Sequence, residues 1–308
     1  MVRFQFALLF VIFVSVFKNS AAEEASVLTN KLNTAVKKVA DEQEYRLSYK
    51  LAVGDVVRSK VSQLVTIDTK IKGNEQTARS RSISNKHWKV EAIDAKGNIR
   101  FVHQIDDVDM WESVTGRQEV KYNSREDKKV PANYEIVADS IGKPLATITI
   151  TPQGKIISRD DAVKKINPGI GDLTIPFPET PIKVGAEWGV PEEIPLRQED
   201  RAIKKVQVRQ LYRLTKVETD VATILVETQI LTPVNDPKLQ SQLVQRMQRG
   251  TIKFDISTGR LLSKVMELNE TVLGFNGADS SMHYLAKFSE EAIAATEVAT
   301  KPAANATK

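Results

Sequence analysis

Three histidines are the residues best suited to acid–base or metal chemistry, because the chain of 308 residues contains no cysteine. His87, His103 and His283 are far apart, and none lies in an H-E-x-x-H motif. His103 alternates with Phe101 and Ile105, which favours a satisfied histidine in the core over a metal ligand or general base. The lack of cysteine excludes disulfides, Cys-ligated zinc, iron–sulfur clusters, thiol catalysis and a lipid-modified cysteine.

The densest acidic cluster is Asp106, Asp107 and Asp109, and neighbouring carboxylates could bind a hard cation. A regular strand would place Asp107 and Asp109 on one face and turn Asp106 away. There is no glycine at the sharp-turn position and no distal glutamate, so a solvated strand end is favoured. The pair Asp160-Asp161 is a weaker candidate for the same kind of cation site. A glycoside hydrolase needs two carboxylic acids placed across a cleft. This sequence does not indicate such a pair, so a hydrolase is the least favoured of the functions considered.

Lys205, Arg209 and Arg213 form a basic stripe that could meet an anionic glycan, lipopolysaccharide or phospholipid head group. A solvated face that protects a sheet edge is the favoured interpretation. Trp88 is expected in the core, Trp111 exposed, and Trp188 at the start of a strand. No nucleophile elbow or phosphate-binding glycine loop is present. We therefore predict no catalytic residue, no metal site and no cofactor; the ligand-binding residues stay unassigned.

The N-terminus is typical of a secretory signal peptide. Arg3 precedes an apolar run of about 14 residues, Phe4 to Phe17, and small residues follow it. Ser20 and Ala22 have the spacing that signal peptidase prefers, so cleavage is predicted after Ala22; an uncleaved anchor is the alternative. Loss of residues 1–22 removes Arg3 and Lys18 and lowers the net charge from +5 to +3. That balance is too weak to indicate a nucleic-acid partner.

The mature chain begins with a predicted amphipathic helix, Glu24 to Ala40, and then changes to a period of two. Residues 45–53 alternate as a half-buried strand, and consecutive hairpins follow. Pro131 to Gly142 and a segment that starts at Asp236-Pro237 are predicted to be short helices. The fold class is mainly β: a curved antiparallel sheet or half-barrel of ten or more strands, with two similar β lobes as a variant, and two or three short helices.

The expected organisation has five parts. Residues 1–22 are the signal peptide and 23–160 an N-terminal β half with its leading helix. A Pro/Gly-rich linker or crossing loop spans 161–184, because its prolines exclude a central strand. A C-terminal β half spans 185–291, and 292–308 form a disordered tail.

The two halves contain similar segments, which raises the alternative of an internal duplication. Leu51–Asp55 resembles Ile182–Ala186, and Ala146–Ser158 resembles Gly250–Ser263. Their order is kept but their spacing is not, and hairpins reuse the same turn residues, so duplication stays open.

Three short motifs are spread over most of the mature chain: Tyr45-Arg46-Leu47-x-Tyr49; Phe177-Pro178 with Val184-Gly185-Ala186-Glu187-Trp188; and Gly250 to Phe254-Asp255-x-x-Thr258-Gly259-Arg260. In this order they resemble an uncharacterised family of secreted β-rich proteins of planctomycete-type bacteria. That family has no assigned activity, so the resemblance implies no catalytic residue. The layout is also similar to LolA-type periplasmic lipoprotein carriers, in which a curved antiparallel sheet surrounds an apolar cavity.

We expect a non-catalytic protein, secreted or periplasmic, that binds a lipid or lipopeptide on a concave β face. The alternative is a structural or interaction module of the cell envelope with a filled core. The sequence indicates no stable membrane span after signal cleavage, and it does not determine the oligomeric state.

Overall fold

The computed structural model describes residues 43–162 and 174–293. The chain divides into two compact units, residues 1–45 and 46–308. The description of the first unit covers residues 43–45, which include the short strand β1, Glu44–Tyr45. The predicted signal peptide, the helix from Glu24 to Ala40, part of the 161–184 segment and most of the tail lie outside the described residues. All that follows concerns the second unit.

Strands account for most of the second unit, as the alternating sequence predicts. They are β2 Val56–Ile71, β3 Asn74–Ile93, β4 Ile99–Val114, β5 Val120–Asn123, β6 Pro144–Ile150, β7 Ile156–Asp161, β8 Ile182–Lys183, β9 Glu187–Arg197, β10 Ile203–Glu218, β11 Val221–Ile230, β12 Arg249–Asp255, β13 Arg260–Leu273 and β14 Ser280–Ala292. The helices are α1, Glu135–Ser140, and α2, Pro237–Leu243, with 3-10 turns at Ala132–Tyr134 and Val244–Arg246.

Twelve of these strands form one antiparallel sheet in the order β7-β6-β4-β3-β2-β14-β13-β12-β11-β10-β9, with β5 paired to β4. The path does not close, so β7 and β9 are its two edges. The predicted mainly β class, with an open curved sheet and few helices, is confirmed. Helix α2 starts at Pro237 as predicted, and Asp236 caps it by accepting a hydrogen bond from the Lys238 N–H at 2.8 Å. The helix predicted from Pro131 begins instead as the 3-10 turn Ala132–Tyr134, and α1 follows only at Glu135.

The two halves of the sheet repeat one strand order. Strands β2, β3, β4, β6 and β7 are neighbours in the same succession as β9, β10, β11, β12 and β13, and β14 lies between β2 and β13. In each half a short helix interrupts the chain at the same place, between β4 and β6 and between β11 and β12. Both halves therefore contribute to one continuous sheet.

Two glycines that the sequence comparison aligned make the same backbone contacts. The Gly54 N–H donates to the Val90 carbonyl at 3.0 Å, and the Gly185 N–H donates to the Leu214 carbonyl at 2.7 Å. Both glycines have a φ of 91°, which favours glycine because it lacks Cβ. These matched contacts and the matched strand order support an internal duplication.

The strand predicted for residues 45–53 is wrong beyond Tyr45. Leu47 and Tyr49 are buried as the alternation requires, but their segment runs across the end of the sheet instead of along a neighbouring strand. The Tyr49 N–H donates to the Pro152 carbonyl at 2.7 Å, and the Lys50 N–H donates to the Gly259 carbonyl at 3.3 Å. Alternating burial in the sequence indicates which side chains face the core, but it does not identify the segment with which the backbone pairs.

Tyr49 is the centre of an aromatic cluster at this end of the sheet. Its ring lies 5.6 Å from that of Phe177 and 5.5 Å from that of Phe254. Its hydroxyl oxygen accepts a hydrogen bond from the Ile175 N–H at 2.9 Å. Burial raises the pKa of this phenol, so the hydroxyl stays neutral. The cluster joins residues 174–178 to the segment that contains Tyr49.

Gly154, in the turn between β6 and β7, packs tightly against both of these segments. A Cβ at Gly154 would lie 2.7 Å from Cε2 of Tyr49 and closer still to the carbonyl oxygen of Ile175. Gly73 provides a matched control, because it shares a φ of +81° but has no atom within 4 Å of the same position.

We expect Gly154→Ala to lower the free energy of unfolding clearly more than Gly73→Ala does. The left-handed backbone alone costs a side chain about 1–2 kcal/mol, and only Gly154→Ala adds a clash with backbone. Urea denaturation of both variants measures the difference. Equal losses would show that the crossing segments do not hold Gly154 tightly.

Candidate functional site

A cavity of about 730 Å³ lies on the concave face of the sheet. Ile156 and Arg159 of β7 line it, and so do Val190 and Ile194 of β9. Because β7 and β9 are the two edges of the open sheet, the sheet must curve for both to face one space. Gly154 and Pro176 also line the cavity, so the aromatic cluster lies at one of its ends.

The most apolar wall of the cavity comes from β13 and β14 in the middle of the sheet. These two strands pair in register, with Met266 opposite Phe288 and Leu268 opposite Ala286. Alternation along both strands turns these four side chains to the cavity and their sequence neighbours outward. Tyr284 extends the same face by one step along β14.

A second wall is polar and hydrogen-bonded within itself. The Thr228 hydroxyl donates to the Gln210 amide oxygen at 3.0 Å, and the Gln210 amide nitrogen donates to Glu192 at 3.3 Å. The backbone N–H of Gln248 donates to the Thr228 hydroxyl at 2.8 Å. Gln210 is buried, and its amide has partners on both sides. The cavity is therefore amphipathic rather than uniformly apolar.

Buried charges lie beneath the same concave face. Lys86 is 1% exposed, and its Nζ lies 2.9 Å from Oε1 of Glu290, which is 4% exposed. The Ser59 hydroxyl donates to the same carboxylate oxygen at 2.9 Å. Lys264, also 4% exposed, is opposite Glu290 in the β13–β14 register and lines the cavity. Two lysines thus lie close to one carboxylate in a region shielded from water, where charges interact strongly.

His103 lies in the core, as predicted from its alternation with Phe101 and Ile105. It is not satisfied, however: the buried Nε2 has no hydrogen-bond partner among the described residues. The imidazole is 3% exposed and lines the cavity. Burial, with the nearby positive charge of Lys86 and Arg159, lowers its pKa to about 3. His103 is therefore neutral at physiological pH.

The predicted orientation of the acidic cluster is wrong in one respect. Asp106 is an extra residue in a β-bulge, so it does not turn away from Asp107. Asp106 contacts Nδ1 of His87 at 2.8 Å, while Asp107 accepts a hydrogen bond from Asn85 at 3.0 Å. His87 and Asn85 are two residues apart on β3, which places both carboxylates on one face.

Each carboxylate of this cluster has a protein partner. Arg81 donates to both oxygens of Asp109 at 2.9 Å, and Arg125 pairs with Asp107. The cluster lies within the paired part of β4 rather than at its end. Across residues 43–162 and 174–293, no group of three or more His, Asp or Glu side chains is arranged to hold a metal ion.

The basic stripe lies on the outer face of β10, where neighbouring strands supply partners for it. Lys205 pairs with Glu193 at 2.6 Å, and Nε of Arg213 donates to Glu187 at 2.7 Å. Arg209 donates to Gln229 of β11 at 2.7 Å. The stripe does not protect an edge as expected, because β9 covers β10 and is itself the edge. These partners satisfy most of its charge and leave little to attract an anion.

The three tryptophans have different surroundings. Trp88 is buried and stacks on Phe101 with ring centroids 4.4 Å apart, as predicted for the core. Trp111 is half-buried rather than exposed. Trp188, at the start of β9, stacks on Tyr212 at 5.4 Å and donates its indole N–H to the Pro176 carbonyl at 2.7 Å. Trp188 thus helps to fix the residues 174–178 beside the cavity.

Sequence reasoning missed the buried charges, although a signal for them was present. Lys86 has the same strand parity as Trp88 and Val90, and Glu290 has the parity of Tyr284 and Phe288. A charged residue on the apolar face of a strand indicates either a buried pair or a functional group. Only the pairing of β2 with both β3 and β14 brings Lys86 and Glu290 together.

No helix among the described residues is long and apolar enough to cross a membrane.

No protein-family model matches the chain, and no curated protein matches it.

Three solved structures show limited similarity. Lipovitellin, solved in a study of lipid–protein interactions, aligns with a TM-score of 0.48 and 11% identity, over 79% of this chain and 25% of that chain. The chain therefore spans a quarter of the lipovitellin chain. The translocator domain of the autotransporter NalP from Neisseria meningitidis aligns with a TM-score of 0.21 and 8% identity, over 91% and 99% of the two chains.

A DUF1329 family protein from Desulfovibrio piger aligns with a TM-score of 0.13 and 11% identity, over 74% of this chain and 83% of that chain. All three TM-scores lie below 0.5, so none of these similarities assigns a function to this chain.

The pKa of His103 makes a specific prediction for the pH dependence of stability. Between about pH 6.5 and about pH 3 the unfolded chain binds a proton at His103 that the folded protein does not. The contribution of this residue is therefore complete above pH 6.5 and is lost as the pH falls through that window. We expect the free energy of unfolding of His103→Gln to decline less steeply with falling pH than that of the wild type. Urea denaturation at a series of pH values measures this difference.

His283→Gln is the matched control, because His283 is partly exposed and its Nε2 lies 2.7 Å from the Asn269 side chain. The decline in His103→Gln should be shallower than in this control. If His103→Gln declines as steeply as the control, then His103 is not held neutral in the folded protein.

Proposed function

We propose that this protein binds the hydrophobic chain of a lipid or lipopeptide in the cavity on its concave face, without catalysing a reaction. The observation that carries the proposal is the cavity of about 730 Å³, bounded on one side by Met266, Leu268, Ala286 and Phe288. Ligand cavities in proteins span about 300–1,000 Å³ and combine apolar walls with a few polar groups. This cavity has both properties.

Energetics support an apolar occupant. Removing apolar surface from water is favourable by about 25 cal/mol per Å². The chain could have filled the centre of this face with larger side chains, yet the middle of β14 carries Ala286 opposite Leu268. A small residue there leaves room against an otherwise apolar wall, which a hydrophobic chain would fill.

We also propose that the protein acts outside the cytoplasm, after cleavage of residues 1–22. The basic start, the apolar run and the small residues at 20–22 support this location. N-terminal sequencing of the protein purified from the envelope fraction should begin at Glu23. A chain that retains Met1 or the apolar run would contradict cleavage.

The function is tested by reducing the cavity without disturbing the fold. We expect Ala286→Phe to weaken saturable binding of a hydrophobic fluorescent dye at least about tenfold, equivalent to about 1.4 kcal/mol, because the new ring occupies the space against Leu268. Leu285→Phe is the control: it adds the same ring at the next residue, on the opposite face of β14, and should bind dye like the wild type.

Native mass spectrometry of protein purified without detergent provides an independent measurement. An added mass that is released as a lipid or lipopeptide is the expected result. A wild-type protein that carries no added mass and binds no dye in its folded state would instead be a structural or interaction module with a filled core.

A further inference from the structure

The wall that β13 and β14 form changes in character along its length. At one end, buried Lys86 pairs with Glu290 at 2.9 Å and its charge acts on His103, while Lys264 lies opposite Glu290. Further along the two strands the wall is apolar, with Leu268, Ala286 and Tyr284 in succession, and Arg246 lines the cavity near Tyr284. This wall therefore leads from a charged region to apolar side chains.

His103 provides a second, independent observation in this part of the cavity. Its Nε2 is buried and has no hydrogen-bond partner among the described residues, and the ring lines the cavity. A buried polar atom without a partner is destabilising, so a native fold seldom keeps one without a reason. An acceptor in the cavity would remove this cost.

The charged groups around His103 decide which acceptor fits. Lys86 and His87 approach it from β3, and Arg159 approaches it from β7. Asp161, opposite Ala146 beside His103, accepts a hydrogen bond from Arg159 at 2.7 Å. Glu290 is held by Lys86 and Ser59. The acids near His103 are thus paired to other groups, and the field at the ring is positive.

We infer that the ligand is an anionic amphiphile whose carboxylate or phosphate head group lies against His103, and whose acyl chain extends along Met266, Leu268 and Ala286. This inference rests on the proposed function and adds the charge and the orientation of the ligand. In the neutral tautomer with the proton on Nε2, His103 donates to an anionic oxygen, and the positive charges of Lys86 and Arg159 act on the same position. Hydrogen bonds to charged groups are stronger than those between neutral groups, and a low dielectric strengthens them further.

The wild-type protein can be tested directly, because its three histidines give three imidazole signals in NMR. Dodecanoate, dodecyl phosphate and dodecanol are the probes, since they share a chain and differ in the head group. We expect both anions to shift the His103 resonances and to raise its pKa from about 3 by about one unit or more. Dodecanol should not raise that pKa, and His283 serves as the internal control on the surface.

Variants separate the head group from the chain. We expect His103→Phe to weaken dodecanoate binding about tenfold or more, which corresponds to about 1.4 kcal/mol, and to weaken dodecanol binding clearly less. His103→Gln keeps an N–H donor and should restore part of the loss. His283→Phe should bind all three probes like the wild type, and thermal unfolding of each variant confirms that it folds.

The outcomes distinguish this inference from the function on which it rests. Equal binding of dodecanol and dodecanoate, with no change at His103, would overturn the anionic head group while the hydrophobic cavity stands. Binding of neither class would overturn both. Preference for dodecyl phosphate over dodecanoate would support the inference and identify a phospholipid-like head, whereas the reverse preference would support it and identify a fatty acid.

Discussion

The hydrogen bond from the Ile175 N–H to the Tyr49 hydroxyl is the contact on which this arrangement depends. It joins two segments that belong to no strand of the large sheet, and it does so among the rings of Phe177 and Phe254. Both segments also bond to hairpin turns: Tyr49 to Pro152 and Phe177 to Gln153. An open sheet has no closing ladder to fix its curvature, so these cross-connections at its end must supply that constraint.

The cavity follows from this constraint together with strand parity. Curvature brings the edge strands β7 and β9 to one space, and alternation decides which side chains of β13 and β14 face it. The same alternation places Lys86, Lys264 and Glu290 on the inner face. Burying charge is costly unless it is paired, and a buried pair adds little to stability compared with apolar packing. Of these three residues, Lys264 also lines the cavity.

The two halves of the sheet share one strand order but differ in the side chains that they carry. Gly54 and Gly185 make equivalent backbone contacts, so the scaffold of the two halves is alike. The side chains differ: Trp88 stacks on Phe101 in one half, and Trp188 stacks on Tyr212 in the other. His103 and Lys86 belong to the first half and the apolar wall of β13 to the second. A common backbone thus carries an asymmetric lining.

The sequence predicts the class of fold and the inner face of most strands, because period-two alternation and turn residues are local properties of the chain. It placed Trp88 and His103 in the core and the start of α2 at Asp236-Pro237, and each of these needed only neighbouring residues. The tertiary structure decided which strands pair. That choice moved residues 46–53 out of the sheet, turned Asp106 towards His87 through a bulge, and brought Lys86 to Glu290, 204 positions along the chain. Contacts at such separation depend on register and curvature, which local pattern does not encode.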